Sequence, residues 1–466
     1  MVSLRILNEE ELLRNAVDLS DKEARYIALE ALKAGVDAVD PRNAVKNFVR
    51  SDGYVLKIGN EDLSFNLNGV GRVVVVGGGK ASGAMAEALE EVLDDRLDAG
   101  FVNVLKGTGA DFKVRRVQLN EAGHPIPDEA GLEGSRKIIE LLQGLHESDL
   151  VFCLISGGGS ALMPLPAEGI SLQDKKNVTN MLVNRSPATI EEINAVRKHL
   201  SVLKGGQLAR LAYPATLISL ILSDIVGDPL GSIASGPTAP DPTTFNDAVA
   251  VLKRYNLWAD VPEPVHKRLE AGLRGDIPET PKPGDKVFDK THNIIVGNNR
   301  LAASAACREA QKHGLHTLLL SSLIEGEARH VGTAYAGIAK EVVASGHPVQ
   351  KPAAIIAGGE TTVTVTGEGR GGRNQELTLS AALKMIGLKG AVIASIGTDG
   401  LDGPTDAAGA VVDGQTFNRA RCMGLNPLDY LKKNDSYTFF KKLNDNIITG
   451  PTKTNVNDLA VIVVLR

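Results

Sequence analysis

Five times along this chain an apolar run of strand length ends in a turn of glycines and small polar residues. The stretches are VVVVGGGKAS from Val73, LVFCLISGGGSA from Leu150, ATLISLILSDIVGD from Ala215, AAIIAGGETT from Ala353 and AVIASIGTDGLDG from Ala391. Such runs lack the polar alternation of a half-exposed strand. They suit strands covered on both faces, as in parallel sheets flanked by helices. Helical spacing lies between them: Met85, Leu89, Val92 and Leu93, then Ile193, Val196, Leu200 and Leu203. Residues 21–50 show the same period through Ile27, Leu29, Leu32, Val36 and Val39. Alternating strands and helices predict an α/β protein. The first part reads as a Rossmann-like parallel sheet. In the second part TTVTVTGEGRGGRNQE, from Thr361, alternates like an exposed or half-buried strand and predicts a mixed sheet.

A chain of 466 residues suggests two or three domains. The stretch 259–290 is rich in Pro, Gly and charge, which sets expected domains at 1–280 and 281–466. Hydrophobic residues make up 43%, enough for sizeable cores. A net charge of −5 argues against a general binder of nucleic acid or anionic membrane, so an anionic small substrate needs a local cluster of Lys and Arg. Cys153, Cys307 and Cys422 are widely spaced and form no CxxC, which excludes a disulfide framework and a zinc site. The opening MVSLRILNEEELL lacks the apolar core of a signal peptide, and LISLIL (217–222) is far too short to span a membrane. These features predict a soluble cytoplasmic protein that binds neither nucleic acid nor membrane.

Ligands of open parallel sheets bind beyond the carboxyl ends of the strands, where bare glycine amides favour anions. The named phosphate motifs fail when tested. A Walker A loop would need Gly at Val74 and Ser or Thr at Ala81, and a dinucleotide fingerprint would need Gly at Ser82. No HRD, DFG or G-x-S-x-G is present. What remains is Lys80, set on a glycine turn at the head of a helix predicted to start at a Ser82 cap. Either Lys80 and the amides of Gly77, Gly78 and Gly79 grip anionic oxygens, or the lysine is solvated and the glycines serve packing. Ser156, Gly157, Gly158, Gly159 and Ser160 form a second candidate anion turn. Arg370 and Arg373 can hold carboxylate or phosphate in pairs, or decorate a solvated hairpin tip. Arg197, Lys198, His199 and Lys204 sit on a helix expected over 189–206, with a Thr189–Glu192 capping box and a stop at Gly205–Gly206. A solvated face is the simpler reading there; Arg197 is the one kept as a binding candidate. The acids Asp224, Asp228, Asp399, Asp402 and Asp406 can hold Mg²⁺, act as general base, or cap turns. His124, in a proline-rich loop, is a weaker candidate.

Six blocks together resemble the glycerate 2-kinase family with a C-terminal MOFRL domain: VVGGGKASGAMA, LISGGGSALMPLP, INAVRKHLSVLKGGQLA, LSDIVGDPLGSIASGPTAPDPTTF, GGETTVTVTGEGRGGRNQE and GTDGLDGPTDAAGA. The resemblance runs in order from about residue 20 to the end. It implies two α/β domains with the active site in the cleft between them, and a MOFRL region at about 350–466. It implies phosphorylation of D-glycerate at O2 by ATP with a divalent cation such as Mg²⁺. It also implies roles for Lys80 and for the arginines of GRGGRNQE. The resulting expectation has Lys80, Arg373 and Asp224 in catalysis. Gly78, Gly79, Ser156 to Ser160, Arg197 and Arg370 would bind phosphate or substrate, and Asp224 and Asp399 the metal. An alternative is an NAD(P)-dependent hydroxypyruvate reductase, which needs an acid about 20 residues beyond the glycines, where Asp95 and Asp98 stand. A non-enzymatic sensor of phosphosugars or organic acids is a third reading. The sequence leaves the oligomeric state open, a homo-oligomer included.

Overall fold

A computed structural model describes residues 4–59 and 63–465. The chain divides into two compact units, one of residues 41–296, the other of the residues up to 40 together with those from 297 onward.

The first unit carries a small antiparallel sheet of β1 (Val49–Asp52), β2 (Val55–Ile58) and β3 (Leu63–Asn66). Its main sheet has β4 (Val73–Gly78), β5 (Ala99–Leu105), β6 (Val117–Ala122), β7 (Leu150–Ile155), β8 (Thr216–Leu222) and β9 (Thr291–Gly297). The spatial order is β6-β5-β4-β7-β8-β9, and the pairs from β6 to β8 are parallel. Strand order therefore reverses between β4 and β7. In a doubly wound sheet the crevice beyond that reversal is where ligands sit. Both strands are buried along their whole length, as continuous apolar runs predict. Beside the sheet a helical layer packs Val178 and Leu182 of helix Leu172–Asn184 with Ile193 and Val196 of helix Ile190–His199 and Val265 and Leu269 of helix Glu263–Arg274.

The second unit is built on β10 (His316–Glu327), β11 (Ala353–Thr362), β12 (Ala391–Gly397), β13 (Gly409–Asp413), β14 (Asn446–Ile447) and β15 (Asp458–Val464). Their order is β10-β11-β15-β12-β13-β14, with β10 and β11 parallel and the other pairs antiparallel. Side chains of β15 alternate between two cores. Leu459, Val461 and Val463 meet Leu29, Leu32 and Val36 of helix Leu19–Ala38. Ala460, Ile462 and Val464 meet the face that carries Ala336, Leu377 and Leu379. The same helix buries Arg25, whose guanidinium bonds Asp413 (2.6 Å) and Asp445 (2.8 Å), all three fully enclosed.

Four expectations change here. The proline-rich stretch 259–290 is not the division: its helix Glu263–Arg274 packs into the first unit, and the units part at 40/41 and 296/297. The stretch 21–50 holds parts of two helices, Leu19–Ala38 and Pro41–Phe48, and the start of β1, since a residue before proline avoids helical backbone. The helix expected over 189–206 has its capping box but ends at His199, because Ser201 pairs with Pro166. The alternating TTVTVT leaves the sheet after Thr362: Asn434 accepts the amides of Thr366 and Gly367, and Glu327 that of Thr364.

Candidate functional site

The two glycine turns of the first unit stand side by side beyond β4 and β7, but they are built differently. In the first, the Gly79 amide donates to Asn103 O (3.2 Å), the Lys80 amide to Gly157 O (2.9 Å) and the Ala81 amide to Ser156 Oγ (3.0 Å). A Cβ on Gly77 would overlap the Leu154 carbonyl, and one on Gly79 would overlap Ser156 Oγ. Gly77, Gly78 and Gly79 thus serve close packing, and the expected phosphate contacts from these amides are replaced by protein bonds. Ser82 is likewise no cap. It is the first residue of helix Ser82–Leu93, and its hydroxyl donates to Leu154 O (3.2 Å). Ser156, expected to bind a ligand, is committed in the same way, its hydroxyl accepting the Ala81 amide. The Lys80 side chain remains exposed and, among the described residues, unpaired.

The second turn is open. Among the described residues the amides of Gly157 and Gly158 make no hydrogen bond to protein. Gly158 takes φ +81°, a conformation that glycine adopts without strain. A Cβ there would stand 2.9 Å from His124 Cδ2 and 3.2 Å from Lys80 Cγ, and one on Gly157 would overlap the Asp224 carboxylate. Lys80, His124 and the half-buried Asp224 therefore gather on one turn. Burial and the neighbouring Lys80 ammonium hold His124 below the usual imidazole range, so its ring is a neutral proton acceptor. Ser160 bonds Ser235 (3.0 Å), a residue with φ +62° next to Ala234 at +51°. Two such left-handed non-glycine residues in succession are the kind of strain found at binding sites.

Beside this turn opens a cleft of about 310 Å³ lined by Lys175, Lys176, Arg197, Lys204 and His124, with no Asp or Glu among its lining residues. The solvated face expected for the 189–206 segment is overturned. Lys204 is 2% exposed, and its ammonium donates to two neutral carbonyls, Ser160 O (2.8 Å) and Met163 O (3.0 Å). Lys175 is 7% exposed and donates to Pro164 O (2.9 Å). Arg197 is half-buried with no protein partner among the described residues. Lys198 and His199, by contrast, are buried against Asp241 (3.1 Å) and Glu279 (3.0 Å). Burial, then repulsion from Arg197, pushes Lys175 down to about 7, and burial with both neighbours pushes Lys204 well below the usual lysine range. Lys175 went unnoticed in the sequence and Lys204 was read as part of a solvated face, because a lone lysine on or beside a helix is ordinarily solvated. The available signal was KGG, a cation held next to two backbone-freeing glycines.

In the second unit Arg373 opens helix Arg373–Ala382 and borders a hollow of about 620 Å³. It is not a bare cation: Nε bonds Asp458 (2.7 Å) and Nη1 lies 3.2 Å from Glu360. Burial raises Asp458 to about 6 despite that partner. Arg370 is exposed, donates to Pro404 O (2.9 Å) and lies over the Tyr437 ring. Asp402 is a structural acid, buried and accepting the amides of Asn374 (3.0 Å) and Gln375 (2.9 Å) at the head of that helix. Asp399 accepts the Leu401 amide (3.0 Å) in a turn. Among the described residues no group of three or more His, Cys, Asp or Glu side chains is placed to hold a metal ion. No helix among them is long and apolar enough to cross a membrane.

The acids needed for a dinucleotide site are absent from their place. Asp98 accepts the Val73 amide (2.7 Å) and Asp95 pairs with Arg116 (2.9 Å). Both precede β5, at the end of the sheet opposite the glycine turns.

Fold and site define an α/β protein with a doubly wound first unit, whose reversal crevice gathers cations, open amides and a carboxylate. A family described as a domain of unknown function (DUF4147) matches residues 27–270, and the MOFRL family matches residues 353–458. The glycerate 2-kinase of Pyrococcus horikoshii is 44% identical over 95% of this chain and 98% of its own length. The D-glycerate 2-kinase of Thermotoga maritima is 42% identical, covering 94% and 97%. A crystal structure of glycerate kinase from Thermotoga maritima superposes with a TM-score of 0.85 at 40% identity, covering 94% of this chain and 99% of that one. The chain belongs to the glycerate 2-kinase family.

Proposed function

We propose that this chain is an ATP-dependent glycerate kinase that phosphorylates D-glycerate at O2. The observation that supports it most is likeness of 44% and 42% along almost the whole chain to two proteins named for this activity. The geometry of the first unit agrees with it. Phosphoryl transfer needs positioning and charge neutralisation more than covalent chemistry. In this reading Lys80 meets oxygens of the transferring phosphoryl group. The amides of Gly157 and Gly158 supply fixed donors beside it, and Arg197 adds a planar cation in the adjoining cleft. The proton of the 2-hydroxyl passes to Asp224 or to the neutral His124. Arg373 contributes through Nη2, the edge that Asp458 and Glu360 leave open, with Arg370 near it. Mg²⁺, when bound with the nucleotide, neutralises phosphate charge. The chain offers it single carboxylates, Asp224 or Asp399, which fits a cation held mainly by phosphate oxygens and water. The three cysteines are free, in keeping with a cytoplasmic setting.

The test is ADP release with D-glycerate, ATP and Mg²⁺, with the product resolved by phosphorus NMR. A 2-phosphoglycerate signal is expected. A 3-phosphoglycerate signal would keep the kinase and refute the O2 assignment. NADH oxidation with hydroxypyruvate and no ADP would refute both.

A further inference from the structure

The cleft of the first unit gathers Lys175, Arg197 and Lys204 with no carboxylate on its lining. Two of the three cations are more than nine-tenths buried, and their protein partners are neutral carbonyls. An ammonium has three donors. Lys204 uses two of them, Lys175 uses one, and among the described residues Arg197 uses none of its five toward protein. Like charges enclosed together repel, and burying a charge without a partner is costly. A few residues away the fold pairs Lys198 with buried Asp241, so this layer readily places an acid beside a buried lysine. The missing counter-charge is therefore a ligand's.

We propose that this cleft is the seat of the substrate's carboxylate, with Arg197 gripping it in the plane of its two oxygens and Lys175 and Lys204 flanking it. The choice of carboxylate rests on the kinase reading. There Lys80 and the open Gly157 and Gly158 amides already form a phosphate station on the adjacent turn, and the remaining anionic group of a short hydroxy acid is its carboxylate. Gly158 and Ser160 belong to both that turn and the cleft wall, so the acid's hydroxyl would point toward His124 and Lys80. The assignment moves the carboxylate contact away from Arg373 and adds two lysines to it.

The experiment is calorimetric titration of the whole protein with D-glycerate, with acetate and with inorganic phosphate, in the wild type, Arg197→Met and Lys175→Met. Melting temperature without ligand is measured alongside. D-glycerate and acetate are expected to bind the wild type and to lose at least tenfold in affinity in either variant. In turnover, KM for D-glycerate should rise while KM for ATP stays within twofold. Without ligand both variants should melt no lower than the wild type, since each removes a repelling charge; a merely structural role predicts lower melting. D-glycerate affinity within twofold of wild type in both variants would overturn the proposal. So would loss of phosphate or ATP affinity with D-glycerate binding retained. Acetate binding that depends on Arg197, in a protein that does not phosphorylate D-glycerate, would keep the carboxylate seat and reject the kinase reading.

Discussion

Lys80 and Arg197 show how differently two cations on glycine-rich blocks can be used. Lys80 is carried on a turn whose own amides are consumed by protein, so its side chain is the part of that turn left for a ligand. Lys80→Ala is expected to lower kcat/KM by about 10²-fold or more with the unfolding midpoint unchanged, because one preorganised charge at a transferring group contributes on that order. Steady-state kinetics with a denaturation curve on the same sample checks it. Lys175 makes a pH prediction. Its value in the folded chain, about 7, lies below the usual 10.5, so the unfolded chain binds more protons between those values. Stability without ligand should therefore rise with pH from about 7 to 10.5, the penalty being present in full below about 7. Lys175→Met should flatten that slope in urea unfolding measured across the window. An unchanged slope would mean that the ammonium is compensated.

At the scale of elements, the strand ends and helix heads that carry the site are fixed by local chemistry. Helix Ile190–His199 starts at a capping box in which the Glu192 amide donates to Thr189 Oγ1 (3.4 Å) and Glu192 accepts the Thr189 amide (3.0 Å). Thr189→Ala should cost about 1 kcal/mol in chemical unfolding. Gly77 is a stricter case, with φ +146° and the Leu154 carbonyl of β7 where a Cβ would go. Gly77→Ala should cost at least about 3 kcal/mol, from backbone strain and overpacking together, and should separate β4 from β7 at the reversal crevice. Wild-type stability in that variant would show that the turn has a second conformation open to it. In the second unit, helix Arg373–Ala382 is headed by the carboxylate of Asp402, far away in sequence. A distant cap of this kind leaves no mark in the local pattern, which is why Asp402 stood among five acids left open between metal binding, general base and turn capping.

On the scale of the whole chain, the first forty residues belong to the second unit. Helix Leu19–Ala38 supplies one of the two cores of the mixed sheet, and Arg25 joins it to Asp413 and Asp445, some 400 residues on. Arg25→Met removes the ion pair of buried Asp413 and leaves buried Asp445 to Arg419 alone, and should destabilise by about 3–5 kcal/mol. The unfolding of the two units should then separate in calorimetry, the second melting first. A single unshifted transition would mean that those carboxylates take up protons at no cost.

The sequence by itself determined the α/β class, the strands that end in glycine turns and Lys80 as a presented cation; the second sheet is mixed as expected, but through β12 to β15 and not through the alternating stretch it was read from. Each rests on a pattern within about ten residues: a continuous apolar run, a helical period, a glycine where a Cβ cannot fit. It also held the family blocks. Tertiary structure alone decided which glycine turn is open, because that depends on whether Asn103, Gly157 and Ser156 accept the amides of the turn beside them. It turned Lys175 and Lys204 from solvated lysines into walls of a cleft by packing neighbouring segments around them. It tied Arg373 to Asp458 and Glu360, and it carried the N-terminal helix to the far end of the chain. Charge and hydrogen-bond complementarity between distant segments has no period, so it becomes visible only when the segments meet.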